Sequence, residues 1–133
     1  MKNYKFDPFY NIIGDFDFII NIAKIYKGMS FQDNLVNIRI HKNNFTHNNR
    51  KMFYEEFKHW VNNQDFNDYY FDKNREFLSN KLEYLRLVYL ILDHKNFKLL
   101  SDILKFPQFF FKIKLLFIFF IPRFLLKLKK EYF

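Results

Sequence analysis

The 133 residues amount to one domain's worth of chain, and 22 Lys+Arg against 14 Asp+Glu leave a net charge of +8. Half the residues are hydrophobic and 23% aromatic, 21 of them Phe, which excludes an intrinsically disordered chain. With no Cys and two Gly, a disulfide scaffold, a thiolate zinc site, a cysteine nucleophile, a P-loop and a dinucleotide fingerprint are all excluded.

The first residues, MKNYKFDPFY, lack the apolar core of a signal peptide. Tyr4–Ile13 reads as an irregular lead in which Asp7-Pro8 sets a turn. Gly14-Asp15 then opens a helix. Phe16, Ile19, Ile20, Ala23 and Tyr26 follow at helical spacing, and Gly28 is the expected C-terminal glycine. Leu35–His41 alternates: Val36, Ile38 and Ile40 on one side, Asn37, Arg39 and His41 on the other, the pattern of a half-buried strand. After an Asn-rich loop, Arg50–Asn62 reads as a helix with Phe53, Phe57 and Trp60 on one stripe. Glu55 and Glu56, beside Lys51 and Lys58, are expected on its solvated face. Asp72–His94 reads as a longer helix. Its expected inner side carries Phe77, Leu78, Leu82, Leu85, Val88, Tyr89 and Leu92. A further helical run starts near Phe97 and is interrupted at Pro107 and Pro122.

The expected fold is therefore mainly α, with one or two short strands near residues 29–41. Three regions follow: 1–50 with the motifs, 51–95 helical, and 96–133 as a tail. The charge divides accordingly, +2 over residues 1–95 and +6 over 96–133. On a projection of about 100° per residue, Lys98, Lys105, Lys112, Arg123, Lys127 and Lys130 fall within an arc of roughly 60°. Phe and Leu fill the other faces. Such a helix is expected to lie in the plane of an anionic membrane surface, touching it through Lys105, Lys112, Arg123, Lys127 and Lys130. No stretch is long enough to span; Leu115–Pro122 is the longest charge-free run of the tail. Nucleic acid is a poorer fit, because the lysines alternate with bulky apolar clusters.

Two constellations carry chemistry. Asp15 and Asp17 sit at a helix mouth, where free N–H groups and the helix dipole favour an ionised carboxylate able to act as a general base. The plainer alternative is an N-cap and a first-turn acid. Asn37, Arg39 and His41 project together from a strand, which suits an anionic group: Arg for a phosphate, His41 for a phosphate or a metal. The plainer alternative is a solvated strand face. His47, His59 and His94 have no metal-ligand spacing and are expected at the surface.

Ile13-Gly14-Asp15-Phe16-Asp17-Phe18, followed by Ile38-Arg39-Ile40-His41-Lys42-Asn43-Asn44-Phe45-Thr46, resembles the second half of a family 2 glycosyltransferase of the GT-A fold. Gly14 stands where an acidic residue is commoner, Ile38 where an aromatic is, and Thr46 where Ser is. The resemblance implies an inverting transfer from a nucleotide-sugar to a glycan or lipid-linked acceptor. Asp15 is then the base that deprotonates the acceptor hydroxyl, with Asp17 supporting it. Arg39 and His41 approach the donor diphosphate and its Mg or Mn, and His41 is the metal candidate of this chain. It further implies a seat on the inner face of the cytoplasmic membrane. The N-terminal nucleotide-binding half of that family, with its Asp-x-Asp, has no counterpart in these residues. The chain is thus expected to be a C-terminal portion, inactive alone and completed by a separately encoded half. Two other readings stay open: a basic helical membrane-surface module without catalysis, and a helper subunit of a split transferase.

Overall fold

A computed structural model describes residues 5–29, 33, 45–65 and 68–122. It is helical: α1 Gly14–Ala23, α2 Phe45–Asn48, α3 Arg50–Asn62, α4 Tyr69–Lys73, α5 Arg75–Asp93, α6 Leu99–Lys105 and α7 Phe109–Phe120. Among the described residues there is no strand. The expected strand Leu35–His41 lies outside them.

Local chemistry accounts for the breaks. Asp7 turns the lead as expected: its carboxylate accepts the Phe9 N–H at 2.9 Å, and its carbonyl accepts that of Tyr10. Asp68 caps α4 by accepting the Tyr70 N–H. Asn74 then parts α4 from α5, its side chain donating to the Tyr70 carbonyl at 2.7 Å. Phe106 and Ile121 each precede a proline and are extended (ψ 129° and 131°), which ends α6 and α7. Arg50–Asn62 is helical over the expected range. The first helix is shorter than its pattern: it stops at Ala23, and Gly28 does not take the left-handed conformation expected of a C-terminal glycine.

Two apolar clusters hold the chain. The first joins Ile13, Phe57, Trp60, Val61, Phe71 and Leu78, bringing the lead, α3, α4 and the start of α5 together. The second joins Leu87, Ile91, Ile103, Phe106, Leu115 and Phe119, from the end of α5, α6 and α7. α5 therefore serves both. Its expected stripe supplies Leu78, Leu82 and Leu85 to the first cluster, but Leu87 and Ile91, on another face, are the more deeply buried. Phe77, expected inside, is exposed. Arg86 ties α5 to α6 through Asp102 at 2.9 Å, and Glu83, one turn back on α5, steadies its guanidinium at 2.7 Å.

The tail does not keep one helical register. At Pro107 the chain turns, and α6 and α7 pack on each other and on α5. The single basic arc expected across Lys98, Lys105 and Lys112 is thus broken by the Phe106-Pro107 corner. Arg123, Lys127 and Lys130 lie outside the described residues. No helix among the described residues is long and apolar enough to cross a membrane.

Gly14 has no positive φ, and a Cβ there would meet the Tyr10 Cβ at 3.8 Å and the Phe6 ring at 3.9 Å, ordinary contacts. Gly14→Ala is expected to raise stability by about 0.4–1 kcal/mol by restricting the unfolded chain. Urea unfolding measures it.

Candidate functional site

The start of α1 has no side-chain cap of its own: Ile13 stands at the cap position. A carboxylate from elsewhere supplies what is missing. Glu56, on α3, is 5% exposed and accepts the backbone N–H groups of Asn11 (2.9 Å), Ile12 (2.9 Å) and Ile13 (3.2 Å). Three donors replace the water that burial removes from the acid, and the acid satisfies N–H groups that the chain leaves unpaired as it enters the helix. Glu56 was expected on the solvated face with Glu55; it is buried, because position 56 lies within about 40° of Trp60 on the helical projection. Glu55 does face solvent, near Lys51 at 3.7 Å.

One turn on, Asp17 is 9% exposed. Its carboxylate accepts the Trp60 indole N–H at 3.0 Å and the Asn21 amide at 3.1 Å. α1 is consequently turned by roughly a quarter of a revolution from its expected stripe. Asp17 and Ile20 face α3, while Ile19 and Tyr26 are exposed. Asp17 acts as a structural acid here, holding Trp60 and the helix in place.

Asp15 is the outward member of the pair. Its side chain is exposed and accepts the Phe16 N–H at 2.7 Å. Residues two apart on a helix stand about 200° around the axis from each other. The two carboxylates therefore do not converge, and Asp15-Phe16-Asp17 is not a divalent-metal pair of the Asp-x-Asp kind. Among the described residues no group of His, Asp and Glu could hold a metal ion. Arg39 and His41, the donor-side and metal candidates, lie outside the described residues.

An aromatic group borders this start. Phe6 stacks on Phe18 at 4.4 Å, and Phe9 on His59 at 4.2 Å. The Tyr10 hydroxyl meets His59 Nδ1 at 3.2 Å. Burial, then the negative charges of Asp17, Asp7 and Glu56, pushes the Tyr10 phenol above its usual value. His59 is exposed as expected but engaged, since Asn63 also contacts its ring.

A polar hollow of about 340 Å³ lies beside α2 and the start of α3, lined by Asn48, Asn49, Arg50, Lys51, Met52, Glu55 and Asp93. Burial lowers Arg50 from its usual value, and Asp93 opposes the shift. The hollow carries both signs of charge and recommends no particular ligand. Of the cations expected at a membrane, Lys105 is exposed near the α6–α7 corner and Lys112 half-buried on α7.

Comparison with protein-family models, with curated proteins and with solved structures finds no match to this chain.

The three acids separate in a stability series. Asp17→Ala leaves the Trp60 N–H without its acceptor and is expected to cost about 1–3 kcal/mol. Asp15→Ala removes an exposed hydrogen bond from the Phe16 N–H and a favourable dipole contact, under about 1 kcal/mol. Glu56→Ala strands three N–H groups and is expected to cost about 3 kcal/mol or more, against less than about 0.5 for Glu55→Ala. Denaturant midpoints of the four variants check the order.

Proposed function

We propose that this chain carries the acceptor-side base of an inverting, nucleotide-sugar-dependent glycosyltransferase, with Asp15 as that base. One arrangement supports the reading above others. Of the acids at the mouth of α1, two are buried and committed to the scaffold, and the third is presented outward. A base that must take a hydroxyl proton as the oxygen attacks a sugar carbon needs that combination: a fixed position and an open approach. The Phe16 N–H, donating to the Asp15 carboxylate at 2.7 Å, holds that carboxylate at the helix mouth.

On this reading the Asp15 carboxylate takes the acceptor hydroxyl proton. The acceptor oxygen bonds to the anomeric carbon while the bond to the nucleoside diphosphate breaks, inverting the configuration. Asp17 and Glu56 position the helix that bears Asp15 and do not touch substrate. By the motif they belong to, Arg39 and His41 are the residues assigned to the leaving diphosphate. A divalent metal, where one is used, would offset the charge on that diphosphate. Its ligands come from outside the described residues, together with an α/β unit that binds the nucleotide. A cytoplasmic donor and a glycan or lipid-linked acceptor seat the protein on the inner face of the cytoplasmic membrane.

Washed membranes from the native cell, carrying wild-type chain or Asp15→Asn in its place, test the proposal with labelled UDP-, GDP- and dTDP-sugars and Mn²⁺. Asp15→Asn is expected to lower transfer into the acceptor about 10²–10⁴-fold, with the chain present at wild-type level. Equal transfer by the two, or no transfer above membranes lacking the chain, overturns it.

A further inference from the structure

α7 is apolar nearly all round, FFFKIKLLFIFF, and a helix of that kind is normally covered on every side. Here one half is covered. Leu115 and Phe119 are fully buried against α5 and α6, with Phe111, Leu116 and Ile118 beside them. Among the described residues nothing covers the other half. Phe109, Phe110, Phe117 and Phe120 are 67%, 84%, 63% and 65% exposed, and Ile113 is 49%. On the helical projection these five share an arc of roughly 100°. At about 150–250 Å² per Phe side chain, the four rings alone expose several hundred Å², as much as the largest patch of a typical monomer, roughly 300–600 Å².

The charges around this face select its occupant. Lys112 and Lys114 flank the phenyl arc, one on each side, and α7 contains no acid. Two copies of this chain meeting through the face would set lysine rows against each other. An anionic surface would meet them with opposite charge. The helix is about 18 Å long, too short to cross a hydrocarbon core of about 30 Å. Phenyl rings buried along one side with cations at both flanks are the layout of a helix lying in the interface plane.

We infer that α7 is an in-plane membrane contact, with Phe109, Phe110, Ile113, Phe117 and Phe120 inserted among the acyl chains and Lys112 and Lys114 on anionic lipid head groups. The contact is made by the rings rather than by a continuous basic stripe, and it stands on α7 independently of Asp15.

Flotation of the full chain with phosphatidylglycerol–phosphatidylethanolamine vesicles, and with phosphatidylcholine vesicles, tests it. Wild type is expected to float with the anionic vesicles and less with the zwitterionic ones. Phe110→Ser with Phe117→Ser, two exposed positions, is expected to lower the bound fraction at least about tenfold while thermal unfolding stays at the wild-type temperature. Lys112→Glu with Lys114→Glu is expected to abolish the preference for anionic lipid. Absence of wild-type flotation, flotation unchanged by the serine pair, or equal binding to both vesicle types overturns the inference. So does a stable wild-type dimer in solution that the serine pair dissolves, since that gives the face to a second copy.

Discussion

The Glu56 carboxylate collects three successive backbone N–H groups, from Asn11 to Ile13, and in doing so decides where α1 begins. A chain entering a helix must find partners for its first N–H groups, and an isoleucine at the cap position offers none. The acid comes instead from α3, 43 residues away from Ile13. Asp17 makes the reciprocal connection: an acid on α1 accepting from Trp60 on α3. Two buried carboxylates, each reaching across the same helix pair in opposite directions, fix the axial position and the rotation of α1. Asp15 is then presented outward as a consequence of where Asp17 must point.

α5 performs the corresponding task for the whole molecule. With 19 residues it is the longest described helix, and it carries a different apolar face to each cluster. Leu78 packs with Trp60 and Phe71, whereas Leu87 and Ile91 pack with Ile103, Leu115 and Phe119. Among the described residues each cluster holds six buried ones, and α5 contributes to both. Loosening α5 therefore weakens both, and the Arg86–Asp102 pair adds a polar link between α5 and α6.

Much of this was legible in the residues, and the failures share a cause. The breaks at Pro107 and Pro122, the bounds of α3 and the Asp7 turn follow from local chemistry and were read correctly. Buried faces are less legible, because a pattern of apolar residues does not mark a buried acid. Asp17 and Glu56 are acids, so α1 was expected a quarter turn away and Glu56 in water. A signal was nonetheless present: position 56 shares the arc of Phe53 and Trp60, and a Trp needs an acceptor for its indole N–H when buried. On α5 the opposite error occurred. One stripe was sought where two exist, since a helix packed on both sides has no single hydrophobic direction. Which elements α6 and α7 would meet was not legible, because that depends on contacts distant in sequence.

The two lysines of α7 explain how a helix with so little polarity takes a definite orientation. Ten of its twelve positions are apolar, so hydrophobicity alone would let it roll. Lys112 and Lys114, about 200° apart around the axis, divide the cylinder into two apolar halves. A quarter-turn roll of α7 would drive one lysine toward the second cluster, and completing the roll would bring Leu115 and Phe119 to the surface. The chain buries the half bearing those two, and none of the described residues covers the other. Lys95 secures the end of that arrangement, its ammonium 5.2 Å from the Phe119 ring and 3.4 Å from the Ile121 carbonyl. The bare half is therefore held outward by the same packing that completes the core.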